Sequence, residues 1–203
     1  MVRKSARDNQ RHRTRKDVLA AAARLLKDGG SPSMDDVAEA AMVSRATAYR
    51  YFPSLDALLV EAPLDGAVPS PEALFADDRS SDAEARIDKA EAALHEMVYR
   101  NEAQLRRMLA HSLGVAGRDE DTVPIRQNRR TPLIAAALAP AKGRLKKAAY
   151  ERLCAALAVF FGTESMVVFR DVLQLDAAEA RKVKSWAMRA LVRAALRESS
   201  ARV

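Results

Sequence analysis

Apolar residues recur every three or four positions along nearly the whole chain, and this spacing constrains the fold more than any other feature of the sequence. It matches one face of an α-helix, whereas no segment shows the strict alternation that is typical of a β-strand. Ala, Leu, Arg, Glu and Lys, which favour helices, dominate the composition. The sequence therefore predicts an all-α protein.

Start and stop signals divide the N-terminal part into short helices. Gly29 and Gly30 end a first helix, and "SMDD" at residues 33–36 is typical of a capping box that begins the second. Ser44 can cap the third helix and Ser54 the fourth. Residues 34–52 therefore read as two short helices with almost no room between them.

The composition changes between Pro63 and Ser81, where prolines and Gly66 break any long helix. We therefore predict four parts. They are a basic disordered arm at residues 1–12, a three-helix helix-turn-helix domain at 13–62, a linker at 63–81 and a helical domain at 82–203.

Two long helices are predicted to complete the chain. One runs from Gly143 to about Val172, and the last begins at the capping pair Asp176 and Glu179. The last helix carries an apolar stripe made of Val183, Trp186, Ala190, Leu191 and Ala194.

Cysteine content and hydropathy indicate the cellular compartment of the protein. Cys154 is the only cysteine, so no intrachain disulfide can form, which fits a reducing compartment. No apolar segment follows the basic N-terminus, and no uncharged apolar run approaches the roughly 18 residues of a membrane span. We expect a cytoplasmic protein that does not enter a membrane.

The sequence gives little support to an enzyme. Among the three histidines, only His95 has a partner at metal-ligand spacing, Glu91 four residues earlier, and we interpret that pair as a surface contact on a helix. There is no Gly-rich phosphate loop and no serine elbow. We predict no catalytic residue, no metal, no cofactor and no enzymatic activity. The alternative is a helical small-molecule-binding or metal-dependent enzyme with an incidental N-terminal hairpin.

The helix that begins after Ser44 has a polar and aromatic outer face. Ala48 and Phe52 give it an inward face. The outward residues are Arg45, Ala46, Thr47, Tyr49 and Arg50. Arginine can donate two hydrogen bonds to guanine, Ala and Thr methyl groups contact thymine, and hydroxyls bind phosphates. The sequence therefore predicts binding of double-stranded DNA in the major groove; a hairpin with a merely solvated outer face is the alternative.

Positive charge is concentrated near the N-terminus. The formal net charge of the chain is +7, and residues 1–17 contain seven bases and two acids. A basic arm of this kind either follows a phosphate backbone or only increases solubility, and charge does not distinguish the two.

Residues 14–62 resemble the N-terminal domain of the TetR (tetracycline-repressor-like) family of transcriptional regulators, through "VLAAAARLLKDGG" and "SMDDVAEAAMVSRATAYRYFPSLDALL". The resemblance implies that Thr47, Tyr49 and Tyr51 contact phosphates and backbone, while Arg45, Ala46 and Arg50 face the bases. Ser44, Arg13 and Arg15 complete the predicted DNA contacts.

Two positions depart from the family pattern. Met42 stands where a glycine is usual in the turn, which suggests a tighter or differently angled turn. Leu55 stands where a phosphate-binding lysine is common, and the basic arm, including Arg11, could replace that contact.

The remaining helices look like the family's variable ligand-binding and dimerisation domain. The resemblance implies a homodimer held by helices at roughly Arg144–Val172 and Ala177–Arg197, a palindromic operator, repression of transcription and a small hydrophobic effector. The candidate effector-binding residues are Leu94, Met97, Tyr99, Met108, His111, Phe160, Phe161 and Glu164. Glu164 interrupts an apolar stripe; it either orients a ligand or pairs with an arginine.

Overall fold

The computed structural model describes the backbone of residues 6–114 and 128–200. Within these ranges the chain forms helices and no strand, which confirms the all-α prediction. The helices are α1 Ala6–Lys27, α2 Met34–Ala40, α3 Arg45–Tyr51, α4 Leu55–Ala67, α5 Pro71–Phe75, α6 Ala83–Arg100, α7 Glu102–Gly114, α8 Arg130–Leu138, α9 Lys147–Ala158, α10 Thr163–Val167 and α11 Ala177–Ser200. A 3₁₀ turn, Ala139–Arg144, follows α8, and a π turn, Val168–Val172, follows α10.

The chain divides into two compact units. The first unit consists of Met1–Ala67 and Ala103–Gln127, and the second of Val68–Glu102 and Asn128–Val203. The four-part division by sequence remains a prediction about domains. Two of its boundaries differ from the observed helices: α1 begins at Ala6, inside the predicted disordered arm, and α4 continues through Pro63 to Ala67. Residues 6–12 contain neither Gly nor Pro, so nothing local stops α1 from extending.

The first unit has its apolar core between α1, α2, α3 and α4. Val18, Leu19, Val37, Ala48 and Leu58 are fully buried there. Leu55, the second departure from the family pattern, packs partly buried against this core, so its side chain contributes to folding.

A buried ion pair joins the two longest helices of this core. The Arg15 guanidinium donates two hydrogen bonds to the Glu61 carboxylate, at 2.8 and 2.7 Å. It also lies 4.4 Å from the centroid of the Phe52 ring. Because both charged side chains are almost completely shielded from water, the pair fixes α1 against α4 and resists substitution of either partner alone.

The second unit is built around α6, which packs against α8 and α11. Ile87, Ala90 and Leu94 form the apolar side of α6. Buried Arg86 donates to the carbonyl oxygens of Ala136 and Ala137 near the end of α8, at 3.0 and 3.1 Å. The last carbonyls of a helix lack partners within it, so Arg86 caps α8.

A polar cluster is buried between α6 and α11. Lys184 Nζ contacts the Glu91 carboxylate and lies 2.6 Å from His95 Nδ1. Arg181 Nε lies 3.2 Å from the other Glu91 oxygen. The interpretation of Glu91 and His95 as a surface contact is therefore wrong, because Glu91 is buried against a cation contributed by α11.

The predicted long helix from Gly143 to Val172 is also wrong. It is interrupted at Gly162, whose φ of +94° is a conformation that L residues rarely adopt. Arg130 bridges the break: it donates to the Ala158 carbonyl at 3.1 Å and to Glu164 Oε2 at 2.6 Å. Glu164 is thus the partner of an arginine, the simpler of its two interpretations.

No single helix in the described ranges is long and apolar enough to cross a membrane. Lys147–Ala158 and Thr163–Val172 reach the required length and hydropathy only as a pair, and they bend by 49° at their junction.

Candidate nucleic-acid interface

Local hydrogen bonds set the start of α2. The Ser33 hydroxyl accepts a hydrogen bond from the Asp36 backbone at 3.2 Å, and the Ser33 backbone donates to the Asp36 carboxylate at 2.7 Å. This is the capping box that the sequence predicted. The hydrogen bonds from the Ser33 backbone and side chain lower the pKa of Asp36, since they stabilise its charged form.

The turn between α2 and α3 is a Schellman motif. The Val43 N–H donates to the Ala38 carbonyl and the Met42 N–H to the Glu39 carbonyl, both at 2.9 Å. Met42 has φ of +54° and its side chain is 93 % exposed. Met42 therefore takes the left-handed conformation for which glycine is usual at this position, and the turn keeps its ordinary hydrogen bonds without a glycine.

Ser44 begins α3 and orients its first turn. Its hydroxyl accepts a hydrogen bond from the Thr47 backbone at 3.1 Å and contacts the Thr47 hydroxyl at 2.9 Å. Ser44 thus acts as the cap that the sequence indicated. The two hydroxyls lie side by side at the start of the helix, where backbone N–H groups favour an anion such as phosphate.

The outer face of α3 carries the predicted DNA-reading residues. Arg45, Ala46, Tyr49 and Arg50 are exposed, whereas Ala48 is completely buried. Arg45 donates to Asp35 on α2 at 2.9 Å, and its guanidinium lies 5.6 Å from the centre of the Tyr49 ring. Both members of the Arg45–Asp35 pair are more than half exposed, so the pair is weak and can be exchanged for a nucleic-acid contact.

Two residues predicted to contact DNA, Tyr51 and Arg15, are buried and do not lie on the exposed surface. Tyr51 is only 6 % exposed and belongs to the core, because its position three residues after Ala48 returns it to the inner face of α3. Arg15 is buried in its pair with Glu61 and does not present its guanidinium to solvent. Arg13 remains exposed on α1, with a hydrogen bond of 3.0 Å to Gln10.

The candidate effector residues divide between the two units. Met108 and His111 lie on α7 in the first unit, and the other six belong to the second. Leu94, Met97 and Phe161 are buried core residues. Within the described residues no group of three or more His, Cys, Asp or Glu side chains could hold a metal.

Sequence reasoning missed the structural roles of Arg86 and Lys184, which are buried, and of Arg130, which is partly buried. Each cation is hydrogen-bonded by groups outside its own helix, so the sequence of that helix does not show what would compensate its burial. Lys184 and Arg86 do give a local signal: Lys184 stands between Ala180 and Met188 on the buried face of α11, and Arg86 stands between Ala83 and Ala90 on that of α6.

Two capped helices, a short turn and an exposed basic second helix together define a helix-turn-helix DNA-binding domain. Residues 18–62 match the family model for bacterial regulatory proteins of the tetR family. No curated protein and no solved structure matches the chain. The chain carries the DNA-binding domain of the tetR family, followed by further helices, which supports a DNA-binding transcriptional regulator.

Proposed function

We propose that this protein is a homodimeric transcriptional repressor that binds a palindromic operator and responds to a small hydrophobic effector. The observation that carries the proposal is the exposed outer face of α3, which presents Arg45 and Arg50 on a helix capped at its start. Such a helix fits the major groove, where arginine distinguishes guanine by two hydrogen bonds. Double-stranded DNA is the proposed partner, and the cytoplasm the proposed compartment.

A homodimer is supported by α11, which has two apolar faces. One face is buried within the second unit through Ala180, Met188 and Val192. The other exposes Trp186, with 70 % of its surface accessible, and Val183. An exposed tryptophan beside a valine on a long helix is typical of a protein–protein contact. A symmetric contact of this kind between two copies would give the dimer two α3 helices, one for each half of a palindrome.

The test is DNA binding of the purified protein to fragments from its own upstream region, measured by fluorescence anisotropy. Arg50→Ala should weaken specific binding by about 1–3 kcal/mol and relax the preference at one base pair per half-site. Arg79→Ala, a change of an exposed arginine in the second unit, is the matched control and should leave the affinity unchanged. Equal affinity of the Arg50 and Arg79 variants for every fragment would refute base reading by α3.

A further inference from the structure

A cavity of about 170 Å³ lies inside the first unit, at the C-terminal end of α3. Tyr51 and Phe52, from the end of α3, form part of its wall. Ala57 and Val60 contribute from α4, and Met108 contributes from α7. Its lining residues all belong to the first unit, and two of them, Met108 and His111, are among the candidate effector-binding residues.

The cavity has the size and surface for one aromatic ring. An engineered cavity of roughly 150 Å³ with apolar walls binds benzene, whereas sites for drug-sized ligands begin at about 300 Å³. Aromatic rings and a methionine side chain form adaptable contacts with a flat apolar ligand. The space beside Tyr51, Phe52 and Met108 therefore accommodates a single ring better than a larger molecule.

The charges around the cavity favour an acidic substituent on that ring. Arg15 and Glu61 line the cavity but neutralise each other through two short hydrogen bonds. Asp56 stands in the first turn of α4, where the positive end of the helix dipole offsets its charge. Arg107 is exposed and pairs with no carboxylate among the described residues. Arginine binds a carboxylate through two parallel hydrogen bonds.

We propose that this cavity binds a compound of one aromatic ring bearing a carboxylate. The ring lies between the side chains of Phe52 and Met108, and the carboxylate accepts hydrogen bonds from Arg107. His111 also lines the cavity.

Occupancy of this cavity is coupled to the orientation of α3, because Tyr51 ends that helix and Phe52 caps it. A ligand that fits one orientation better than another shifts the population of α3 orientations by its difference in affinity. This coupling rests on the proposed function, whereas ligand binding itself does not.

The direct test is a titration of the full-length protein with benzoate, followed by calorimetry and by the methyl signals of isotope-labelled methionines. Benzoate should bind saturably and shift the Met108 signal, which Met108→Leu identifies. Benzyl alcohol and benzylamine, of similar size but neutral and cationic, should bind more weakly. Arg107→Gln should weaken benzoate binding by about tenfold, the loss of one charge-assisted contact, and leave benzyl alcohol binding unchanged.

A second pair of variants tests the location of the site. Ala57→Leu places a branched side chain in the cavity and should abolish benzoate binding. Ala110→Leu makes the same change at an exposed position of α7 and should not affect binding. Circular dichroism and thermal unfolding of both variants establish that each is folded before it is titrated.

Several results would overturn the proposal. They are the absence of saturable benzoate binding, benzoate binding by folded Ala57→Leu that equals that of Ala110→Leu, or tighter binding of benzylamine than of benzoate. DNA affinity is measured separately with and without benzoate. Benzoate that binds without changing DNA affinity would support the site and refute the coupling to α3, and a protein that binds no DNA would still report on the cavity.

Discussion

Arg13 and Arg15 are separated by one residue on α1, and their side chains lie in opposite environments. Successive residues of an α-helix are rotated by about 100°, so positions two apart lie on opposite sides. Arg13 is exposed, whereas Arg15 is 3 % exposed and paired with Glu61. The two residues carry the same charge but have different roles: Arg13 is available to a phosphate, whereas Arg15 is structural.

This difference predicts different effects of the same substitution. Arg13→Gln should reduce the salt dependence of DNA binding by a slope of about 0.9 and leave stability unchanged, because one phosphate contact is lost. Arg15→Gln leaves Glu61 as a buried charge without its main partner and should destabilise the fold by about 3–5 kcal/mol. Anisotropy at several salt concentrations and urea unfolding measure the two effects. An unchanged salt slope for Arg13→Gln would exclude a phosphate contact at that position.

Met42 offers a stability test at a single turn. A non-glycine residue in the left-handed conformation is disfavoured by about 1–2 kcal/mol, and glycine removes that penalty but makes the unfolded chain more flexible. Met42→Gly should therefore stabilise the protein by about 0.5–1 kcal/mol in urea unfolding. Met42→Ala, which keeps the backbone penalty, is the control and should give no gain. A loss of stability in Met42→Gly would contradict the assignment of the turn.

Among the elements, α2 and α3 were the most predictable from the sequence. Their caps, Ser33 with Asp36 and Ser44 with Thr47, depend on residues three apart, so the information is local. The break at Gly162 and the burial of Lys184 depend on distant partners instead. Arg130 lies 34 residues from Glu164, and Lys184 lies 93 residues from Glu91. Periodicity can place a charged residue on a buried face, but it cannot identify a partner that belongs to another helix.

A double-mutant cycle can measure the coupling between Glu91 and Lys184 in the polar cluster between α6 and α11. Glu91→Leu alone leaves Lys184 buried without its carboxylate and should cost about 3–5 kcal/mol of stability. Adding Lys184→Met should recover most of that loss, because an apolar pair of similar volume replaces the buried charges. Urea unfolding of both single variants and the double variant measures the coupling. If the two single losses simply add, Glu91 and Lys184 do not act as a pair.

The same cluster should make the stability of the protein depend on pH, and the direction follows from the pKa of Lys184. Burial lowers the pKa of Lys184 below its ordinary value of 10.5, while attraction to Glu91 partly opposes that shift. Between the lowered pKa and 10.5 the unfolded chain binds more protons at this group than the folded chain does. The contribution of Lys184 to stability should therefore increase as pH rises through this window, and Lys184→Met should remove that component from the stability profile. An identical profile for both proteins would contradict the predicted shift.

At the scale of the whole molecule, the proposed dimer makes the exposed side of α11 the surface to test. Trp186→Asp places a charge in the proposed contact and should shift the protein toward monomer in sedimentation equilibrium. Leu113→Asp is a matched control, because Leu113 is also apolar and is 75 % exposed but lies on α7, outside both segments predicted to hold the dimer. If Trp186→Asp remains as dimeric as the wild type, or if the wild type is a monomer that binds DNA normally, α11 does not hold a dimer.

The discontinuity of the first unit has a consequence for protein synthesis. Residues 1–67 leave the ribosome first, and α7 follows only after residues 68–102 of the second unit have been made. The hairpin that presents Arg45 and Arg50 is therefore complete before α7 supplies Arg107 and Met108 to the cavity. For that interval the nascent chain has the groups proposed to read DNA but lacks those proposed to hold a ligand, so its DNA binding would be insensitive to that ligand until α7 is in place.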